Sequence, residues 1–559
     1  MRLSQPFSSI TVERGFFSGG IAPLLIFMAS CLLYLLNIGR APYPDELYHV
    51  LAARGLLEHG EPRIAEGLYT RGIIYTWLVS RTFIFMGETL AAARLPSLLA
   101  ISLLNMLIFI WVRKEAGIRP AIIATCIFAI SPFSIEIAQF SRFYSLQTLS
   151  LFIGAILLYE TVCRPRLIDP RNIATAMIAA ACLSFAVYLQ PTALFAVVGL
   201  ALWLSTAIAI PWLTNPEISH RRKSFFVSIG LLVLAVLLAL AISQGLVAEL
   251  WFRYRWTPLW NSPTVDAFWY YHIYYLLLYP TLWPLIGLLG FAALARWPRP
   301  AWFAVVLFLT GLLLSSFAGP KSTRYLFYGQ PFLFIIFGLG LASFFPVFRY
   351  VLTKSKRRLE AQLAAIGLVH CRFPDVLIWG SFLVILVMNS AVIRSMTLLS
   401  GITVPPELPP VEWAEARSTV QPLLHNVDVV VTMAELETLY FWERYDVLFS
   451  ASRLSEFLDG QHEFVIDSRT GRPVISTLDS LKRIVNCKGS GIFVAPTRRW
   501  HLPSMIDIEA RRFIESYMLR VEMPPSSQLM VFRWENLAPP TRNGDCAGLQ
   551  ELLPPVDRL

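Results

Sequence analysis

Residues 21–50 read IAPLLIFMASCLLYLLNIGRAPYPDELYHV, so an apolar run ending at Ile38 is followed closely by two adjacent carboxylates, Asp45 and Glu46. The run is long enough to cross the ~30 Å hydrocarbon core of a bilayer as a helix. It lacks a small-residue cleavage site and charged sequence follows it, so we interpret it as a retained anchor, not a removed signal peptide. The acid pair therefore lies just outside a predicted membrane span.

The composition of the whole chain is that of a polytopic membrane protein. Of its 559 residues, 56% are hydrophobic and 15% are charged, and the mean hydropathy is +0.57. These values exclude an ordinary soluble globular chain. The apolar runs predict eleven spans, near residues 21–38, 95–112, 120–136, 143–162, 172–189, 192–213, 224–248, 270–294, 301–318, 325–346 and 376–397.

Basic residues indicate the orientation. If the N-terminus is cytoplasmic, the loops that fall inside are VRKEAGIR, CRPRLIDPRN, NPEISHRRK, ARWPRP and FRYVLTKSKRRLE, as the positive-inside rule requires. The segments then predicted to lie on the outer side are residues 39–94, the short turns near Ser141 and Gln190, the stretches 249–269 and 319–324, and the tail. The net charge of +10 is largely this signal and does not indicate a nucleic-acid surface.

One apolar stretch does not fit as a span. Residues 72–87, GIIYTWLVSRTFIFMG, are short and carry Arg81 in their middle. If this stretch were counted as a span, every later basic loop would move to the outer side, against the positive-inside rule. We therefore predict a helix that lies in the outer membrane interface.

The tail, residues 399–559, predicts a separate periplasmic α/β domain after a transmembrane domain of residues 1–398 that includes the first outer loop, 39–94. DVVVTM, GIFVAP and QLMVFRWE are typical of strands, and AELETLYFWERY and STLDSLKRIVN of helices. Of the seven cysteines, only Cys487 and Cys546 fall in this domain. Because its compartment permits disulfides, we predict that these two pair.

Cations from four outer segments accompany the acid pair. Asp45 by itself could be the N-cap of the amphipathic helix that follows it, and any single arginine at a span end could simply reach the lipid headgroups. Together, however, the set resembles a pocket for an anionic lipid headgroup beside a general base. Its cations are Arg71, Arg94, Arg142, Lys321 and Arg324.

Four motifs resemble a known family: PYPDELYH, then ARLPS, then SPFSIEIAQFSRFYSLQTL, then STRYLFYGQPFL. They look like the GT-C membrane glycosyltransferases, in the group of the protein O-mannosyltransferases and the aminoarabinose transferase of lipid A. The resemblance implies the GT-C fold and an inverting transfer of a sugar from a polyprenyl phosphate. The acceptor would be a glycolipid, lipopolysaccharide or protein at the periplasmic face of the inner membrane.

The resemblance also implies roles for individual residues. Asp45 matches the first-loop acid, with Glu46 as its neighbour in the motif, and both are the catalytic candidates. Arg71 stands where the aminoarabinose enzyme has a lysine before paired prolines, although this chain reads TRGII there. The candidates for the donor phosphate are Arg71, Arg142, Lys321 and Arg324, and those for substrate contacts are Tyr48, Glu136, Tyr144, His272 and Tyr325.

The second acidic position of the family differs in this chain. Several relatives carry Arg-x-Asp where the sequence reads Arg142, Phe143 and Tyr144. Glu136 either replaces this missing acid or is a solvated residue at a helix end. If the acceptor is itself a phosphate, Asp45 need not act as a base and would instead orient the substrate or act through a bound cation.

Cofactor use stays open at this point. No compact metal site is indicated by the spacing of the possible ligands, which are Asp45, Glu46, His49, Glu58, His59 and His272. The sequence therefore identifies no certain cofactor, and the use of a divalent cation is left open. The aromatic residues at 251–260 and 268–275 indicate an interfacial belt, with one or two of them lining an acceptor entrance. In the tail, ELETLYFWERYD (435–446) is the segment that could face the pocket.

Two other classes of function compete. A transporter or flippase for lipid-linked sugars is disfavoured because the chain shows no internal duplication and little charge along the depth of its spans. Another outer-face enzyme, such as an O-antigen-type ligase, would share a lipid phosphate pocket but would place its acid elsewhere. The sugar, the acceptor and the oligomeric state are not determined by the sequence.

Overall fold

The computed structural model describes residues 20–163, 170–209, 267–319, 321–344, 350, 354, 390–402, 411–450, 464–502, 505–535, 546, 549 and 553. The chain divides into two compact units. The first unit comprises Met1–Asn37, Ser97–Gln139 and Phe143–Ile402, and the second comprises Ile38–Pro96, Phe140–Arg142 and Thr403–Leu559. The first outer loop thus groups with the C-terminal tail.

Helices dominate the described residues up to residue 402. The described ones are α1 Ile21–Leu35, α2 Pro44–His59, α3 Ile73–Met86, α4 Leu90–Ala116, α5 Ile118–Ala129, α6 Pro132–Ala138, α7 Tyr144–Cys163, α8 Pro170–Leu189, α9 Ala193–Leu204 with a π-helical end Ser205–Ala209, α10 Tyr270–Leu278, α11 Ile286–Arg296, α12 Pro298–Phe317, α13 Thr323–Phe344, which begins as the 3₁₀ helix Thr323–Gly329, and α14 Ser390–Ser400.

Five of the described helices are long and apolar enough to cross a membrane: α4, α7, α8, α12 and α13. They match the predicted spans at 95–112, 143–162, 172–189, 301–318 and 325–346. Shorter apolar helices occupy parts of the predicted spans at 21–38, 192–213 and 376–397. The predicted span at 224–248 lies outside the described residues.

Two predicted spans are broken. Helices α5 and α6 meet at an angle of 62°, because Pro132 cannot continue the helix that precedes it. The span predicted at 270–294 was wrong as a single helix, since α10 ends at Leu278 and α11 begins at Ile286. Pro280 and Pro284 lie in the connection, where each lacks the N–H that a continuous helix would use.

The loop part of the second unit contains α2, α3 and a short hairpin. Its strands, β1 Arg63–Ile64 and β2 Gly67–Leu68, pair antiparallel. Helix α3 fills the stretch that we predicted as an interfacial helix, and its placement at the membrane surface stays a prediction.

The tail part of the second unit is an α/β domain, as predicted. Its elements are α15 Trp413–Leu424, β3 Val429–Thr432, α16 Glu435–Trp442, β4 Val447–Phe449, β5 Val465–Ile466, β6 Pro473–Ile475, α17 Leu478–Cys487, β7 Ser490–Pro496, α18 Thr497–Trp500, α19 Ile508–Tyr517, β8 Leu519–Val521 and β9 Leu529–Glu535. All three strands and both helices predicted for this domain are present, whereas β4, β5, β6 and β8 are too short to have been recognised.

One seven-stranded mixed sheet organises this domain, in the order β5-β6-β4-β3-β7-β9-β8. The four central strands, β6, β4, β3 and β7, are parallel, and the outer strands pair antiparallel. Because central parallel strands are buried on both faces, Val429–Thr432 is apolar almost throughout. Trp500 is completely buried in the core and stacks on Phe532 with ring centroids 4.9 Å apart. A disulfide joins Cys487 to Cys546.

Candidate functional site

Helix α2 begins directly at the acid pair. Pro44 is its first residue, where the missing N–H costs nothing, and the Tyr43 N–H donates to Glu46 Oε1 at 2.7 Å. Tyr43 is therefore the N-cap, and the alternative that Asp45 caps the helix was wrong. Asp45 lies in the first helical turn and is half-buried, and a carboxylate there is favoured by the helix dipole.

Glu46 is buried in an ion pair. Both Glu46 and Arg94 have no exposed surface, and Arg94 Nε donates to Glu46 Oε2 at 3.0 Å. The Ser141 N–H donates to the same oxygen at 3.1 Å, and Arg94 Nη1 donates to the carbonyl oxygens of Ile38 and Arg40 at 2.6 and 2.8 Å. These bonds satisfy both buried charges, as a buried pair requires, and tie together four segments of the chain, including the turn at Ser141.

This arrangement changes the interpretation of two predicted residues. Arg94, which we expected among the cations of an anion pocket at the start of a span, lies inside α4 and has Glu46 as its partner. Glu46, predicted as catalytic, is fixed by donors from Tyr43, Arg94 and Ser141 and is closed off from solvent. Both residues shape the loop that presents Asp45.

Arg142 is anchored beside Asp45. Its Nη1 donates to the backbone oxygen of Asp45 at 2.8 Å and to Tyr69 Oη at 3.0 Å. The side chain is largely buried, with Arg142 5% exposed. A guanidinium group is thereby held, through a backbone oxygen, at the turn that carries the half-buried Asp45.

Tyr48, one turn after Asp45 on α2, organises the rest of this cluster. Its ring stacks on that of Tyr69, with centroids 4.9 Å apart and planes inclined by 15°. The guanidinium carbons of Arg142 and Arg469 lie 5.9 and 5.5 Å from the Tyr48 centroid, within the range of cation–π attraction. The Tyr48 hydroxyl donates to Glu435 Oε1 at 3.4 Å.

His49 is buried next to these residues. Its Nδ1 lies 2.8 Å from Thr76 Oγ1, and its ring contacts those of Tyr69 and Tyr75 edge to face. Burial holds the pKa of His49 well below its usual range, and the positive charges of Arg142 and Arg71 lower it further. His49 is therefore neutral at physiological pH, in a positive local field.

Glu435 comes from the segment that we expected to face the pocket. It is the first residue of α16 and is 9% exposed. Burial raises its pKa to about 7, with the negative charges of Glu437 and Asp467 adding to the shift and Arg499 opposing it. Arg469 and this shifted acid were missed as site residues, since neither lies in a motif of the membrane portion.

A second cluster of predicted residues lies in the first unit. The guanidinium carbon of Arg324 is 5.9 Å from the ring centroid of Tyr144 and 6.0 Å from that of Tyr325, whose rings are 6.2 Å apart. Nearby in sequence, the buried Lys321 donates from Nζ to the carbonyl oxygen of Ala318 at 2.8 Å. The structure thus brings Arg324, Tyr144 and Tyr325 together.

The other two candidates of the first unit have different surroundings. Arg394 donates from Nε and Nη2 to Glu136 Oε1 at 3.1 and 2.6 Å, so the acid that we considered as a replacement for the missing carboxylate is part of an ion pair. His272 packs between aromatic rings, with Trp269 and Trp283 at 5.3 and 5.5 Å. Within the described residues, no group of three His, Cys, Asp or Glu side chains could hold a metal ion.

In fold, the chain matches a solved GT-C membrane protein over most of its length. The chain is similar to the crystal structure of ArnT from Cupriavidus metallidurans in the apo state, at 15% identity and a TM-score of 0.57, over 92% of this chain and 98% of that chain. The same enzyme bound to undecaprenyl phosphate gives 14% identity and a TM-score of 0.54 over the same shares.

At this level of identity the likeness establishes the fold and not the activity. No protein-family model matches the sequence, and no curated protein is significantly similar to it.

Proposed function

We propose that this protein is an inner-membrane glycosyltransferase. It moves a sugar from a polyprenyl phosphate to a glycolipid, lipopolysaccharide or protein acceptor at the periplasmic face, where its C-terminal domain also lies. The observation that carries the proposal is the half-buried Asp45 with the Arg142 guanidinium bonded to its backbone oxygen. The GT-C fold and the ArnT structure with undecaprenyl phosphate support the class of donor.

Asp45 supplies the base. A sugar hydroxyl is a poor nucleophile, and a carboxylate that accepts its proton accelerates the attack by roughly 10²- to 10⁴-fold. The acceptor oxygen forms a bond to the anomeric carbon while the bond from that carbon to the phosphate oxygen breaks. The polyprenyl phosphate leaves with the bonding electrons, and one such displacement inverts the anomeric centre. Glu46 does not take part in this step, because its oxygens are engaged by Arg94 and the Ser141 N–H.

Cations stabilise the leaving phosphate. Negative charge grows on the phosphate oxygen in the transition state, and fixed guanidinium donors in a water-poor site lower its energy. In the second unit Arg142 has this role, and Arg71, which is exposed, adds to the positive field. In the first unit, taken by itself, Arg324 and Lys321 stay the predicted phosphate-binding cations, and the Tyr144 and Tyr325 rings offer faces for sugar or prenyl groups.

The experiment that tests this function is mass spectrometry of the envelope glycolipids and glycoproteins of a strain that lacks the protein. The strain is complemented with wild type, with Asp45→Asn or with Glu58→Gln, an exposed acid on the same helix. We expect one hexose- or pentose-sized mass to disappear with the deletion and to return with wild type and Glu58→Gln only. Full restoration by Asp45→Asn, or no change in any glycoconjugate, would contradict the proposal and favour a transporter.

A further inference from the structure

One acid of the first unit keeps a carboxylate oxygen available. Arg394 of α14 donates from both Nε and Nη2 to the same atom of Glu136 on α6, Oε1, at 3.1 and 2.6 Å. A bidentate pair would use both carboxylate oxygens, but no residue in the described part of the chain hydrogen-bonds Glu136 Oε2. The Glu136 side chain is 19% exposed and Oε2 is not fully buried, so a donor from outside the protein can reach this oxygen.

The chemistry of this oxygen restricts what it can bind. A carboxylate oxygen has about two acceptor sites and no donor, so its partner must carry a hydrogen, as a hydroxyl or a protonated amine does. A charged acceptor makes such a hydrogen bond roughly twice as strong as a neutral one. The two bonds from Arg394 fix the direction in which Glu136 Oε2 points.

Two tyrosines of α10 lie beside the same acid. Tyr270 and Tyr274 are one helical turn apart and half-buried, and their rings stack with centroids 6.3 Å apart. Phe133, one turn before Glu136 on α6, contacts the Tyr274 ring at 5.0 Å, and the charge of Glu136 acts on both tyrosine hydroxyls. Among the described residues nothing hydrogen-bonds the Tyr274 hydroxyl, which makes it a second available polar group.

Tyr270 also links this surface to the predicted phosphate-binding cation of the first unit. Its hydroxyl hydrogen-bonds the backbone of Thr323, and the charges of both Glu136 and Arg324 act on it. An acid with an available oxygen and a predicted phosphate-binding cation therefore lie within electrostatic range of one tyrosine hydroxyl. This proximity suits a ligand that carries hydroxyl groups next to a phosphate.

The arrangement has the features of a sugar site. Recognition of a small polar molecule uses aromatic faces together with a few fixed polar groups that set its orientation, and here the faces are those of Tyr270 and Tyr274. An ion pair that only joined α6 to α14 would use Glu136 Oε1 and would give no role to Oε2 or to the Tyr274 hydroxyl.

We propose that Glu136 selects the donor sugar by accepting, through Oε2, a hydrogen bond from one of its hydroxyl or amino groups. Arg394 is a positioning residue that orients the carboxylate, and Tyr270 and Tyr274 form the surface for the sugar ring. The ligand is a hydroxyl- or amino-bearing sugar on a polyprenyl phosphate. This inference rests on the proposed function and deepens it, because it assigns the residues that distinguish one donor sugar from another.

Lipid binding to the full-length protein tests the site without turnover and without an acceptor. Native mass spectrometry in detergent would measure the affinity for undecaprenyl phosphate and for its mannosyl, glucosyl, galactosyl, arabinosyl and aminoarabinosyl derivatives. The variants are Glu136→Gln and Glu136→Asp. The matched control is Glu160→Gln, because Glu160 belongs to the same unit, is 18% exposed and is paired with Lys114.

The expected result is a loss of sugar preference alone. In Glu136→Gln the amide oxygen can stay with Arg394, which leaves an NH₂ donor in place of the accepting Oε2. Loss of a charge-assisted bond predicts that this variant binds the preferred sugar-bearing lipid about tenfold more weakly. Its affinity for undecaprenyl phosphate should stay unchanged, and Glu160→Gln should bind every lipid as wild type does.

Other results would overturn the site. If wild type binds no sugar-bearing lipid more tightly than undecaprenyl phosphate, or if Glu136→Gln keeps the preference, Glu136 does not read the sugar. Equal weakening for undecaprenyl phosphate and its sugar derivatives would show that the ion pair only supports the fold. Should Glu136→Gln fail to fold, Glu136→Asp keeps the charge but has a shorter reach, and it should lose the same preference.

The strain experiment separates this inference from the proposed function. If the deletion removes a glycoconjugate that Glu136→Gln restores, and the purified variant keeps its sugar preference, only the site proposal fails. If Glu136→Gln loses the preference but the deletion changes no glycoconjugate, the sugar site stands and the glycosyltransferase proposal fails. Asp45→Asn should keep the sugar preference, because its side chain is assigned to the acceptor proton.

Discussion

The adjacent acids Asp45 and Glu46 differ in burial and in the partners of their carboxylates. In the Glu46–Arg94 pocket both charges are buried and matched by fixed donors and acceptors. On the Asp45–Arg142 surface the carboxylate is half-buried, and the cation is held through a backbone oxygen and a tyrosine hydroxyl. Burial and hydrogen-bond partners, and not residue type, therefore separate a structural acid from a candidate base.

The strongest test of this difference is Asp45→Asn against Glu58→Gln in a purified transfer assay with the glycoconjugate identified in the strain. We expect the rate with Asp45→Asn to fall by roughly 10²- to 10⁴-fold, because the amide cannot accept the acceptor proton. Its melting temperature should stay near that of wild type, since Tyr43 and not Asp45 caps α2. If the Asp45→Asn protein were active, Asp45 would not be the base, and the functional distinction between Asp45 and Glu46 would fail.

Glu46→Gln tests the Glu46–Arg94 pocket. Leaving Arg94 buried without its charge partner should destabilise the protein by about 3–5 kcal/mol, seen as a lower melting temperature in detergent. Glu88→Gln is the control, because the Arg54–Glu88 pair is substantially exposed and should contribute less than about 1 kcal/mol. A Glu46→Gln protein with normal stability but no transfer would show that Glu46 has a chemical role after all.

Gly471→Ala tests whether the turn at residues 467–472, which packs on the β1–β2 hairpin, supports the Asp45–Arg142 surface. Gly60 and Gly471 both have positive φ, but a Cβ on Gly60 would meet nothing within 4 Å, whereas one on Gly471 would be 2.7 Å from Glu66. Gly60→Ala should therefore show backbone strain alone, about 1 kcal/mol, and Gly471→Ala should lower stability by about 1–3 kcal/mol. Equal effects in both variants would argue that the close approach is unimportant.

The last comparison concerns Glu435, which contacts Tyr48 at the Asp45–Arg142 surface. Its folded pKa is raised from 4.5 to about 7, so between these pH values the folded protein binds more protons than the unfolded chain. Stability therefore falls as the pH rises through this window, by up to about 1.4 kcal/mol per pH unit, and levels off above it.

Melting temperatures from pH 5 to pH 8 measure this dependence. Glu435→Gln should flatten the curve and raise the melting temperature at pH 8, whereas Glu443→Gln, at an exposed position, should leave the curve unchanged. An unaltered slope in Glu435→Gln would show that Glu435 does not hold the proton.

Much of this molecule could be predicted from the sequence. The long apolar runs predicted α4, α7, α8, α12 and α13, and the alternation of the tail predicted its α/β class. The roles that the sequence assigned to the candidate residues around Asp45 and around Arg324 stay predictions. The prolines at 132, 280 and 284 were present in the sequence as signals for breaks, but hydropathy averaged over a window does not detect them.

Hydropathy and turn chemistry act through neighbouring residues, so the sequence was sufficient to predict a membrane protein, an acid pair that closely follows the first apolar run, and a sheet-forming tail. The pairing of Glu46 with Arg94, the pairing of Glu136 with Arg394 and the approach of Arg469 to Tyr48 became visible only in the folded chain. These contacts join side chains that are far apart in the chain. Desolvation and charge pairing are set by partners in space, and no local pattern specifies which partner a charged residue will meet.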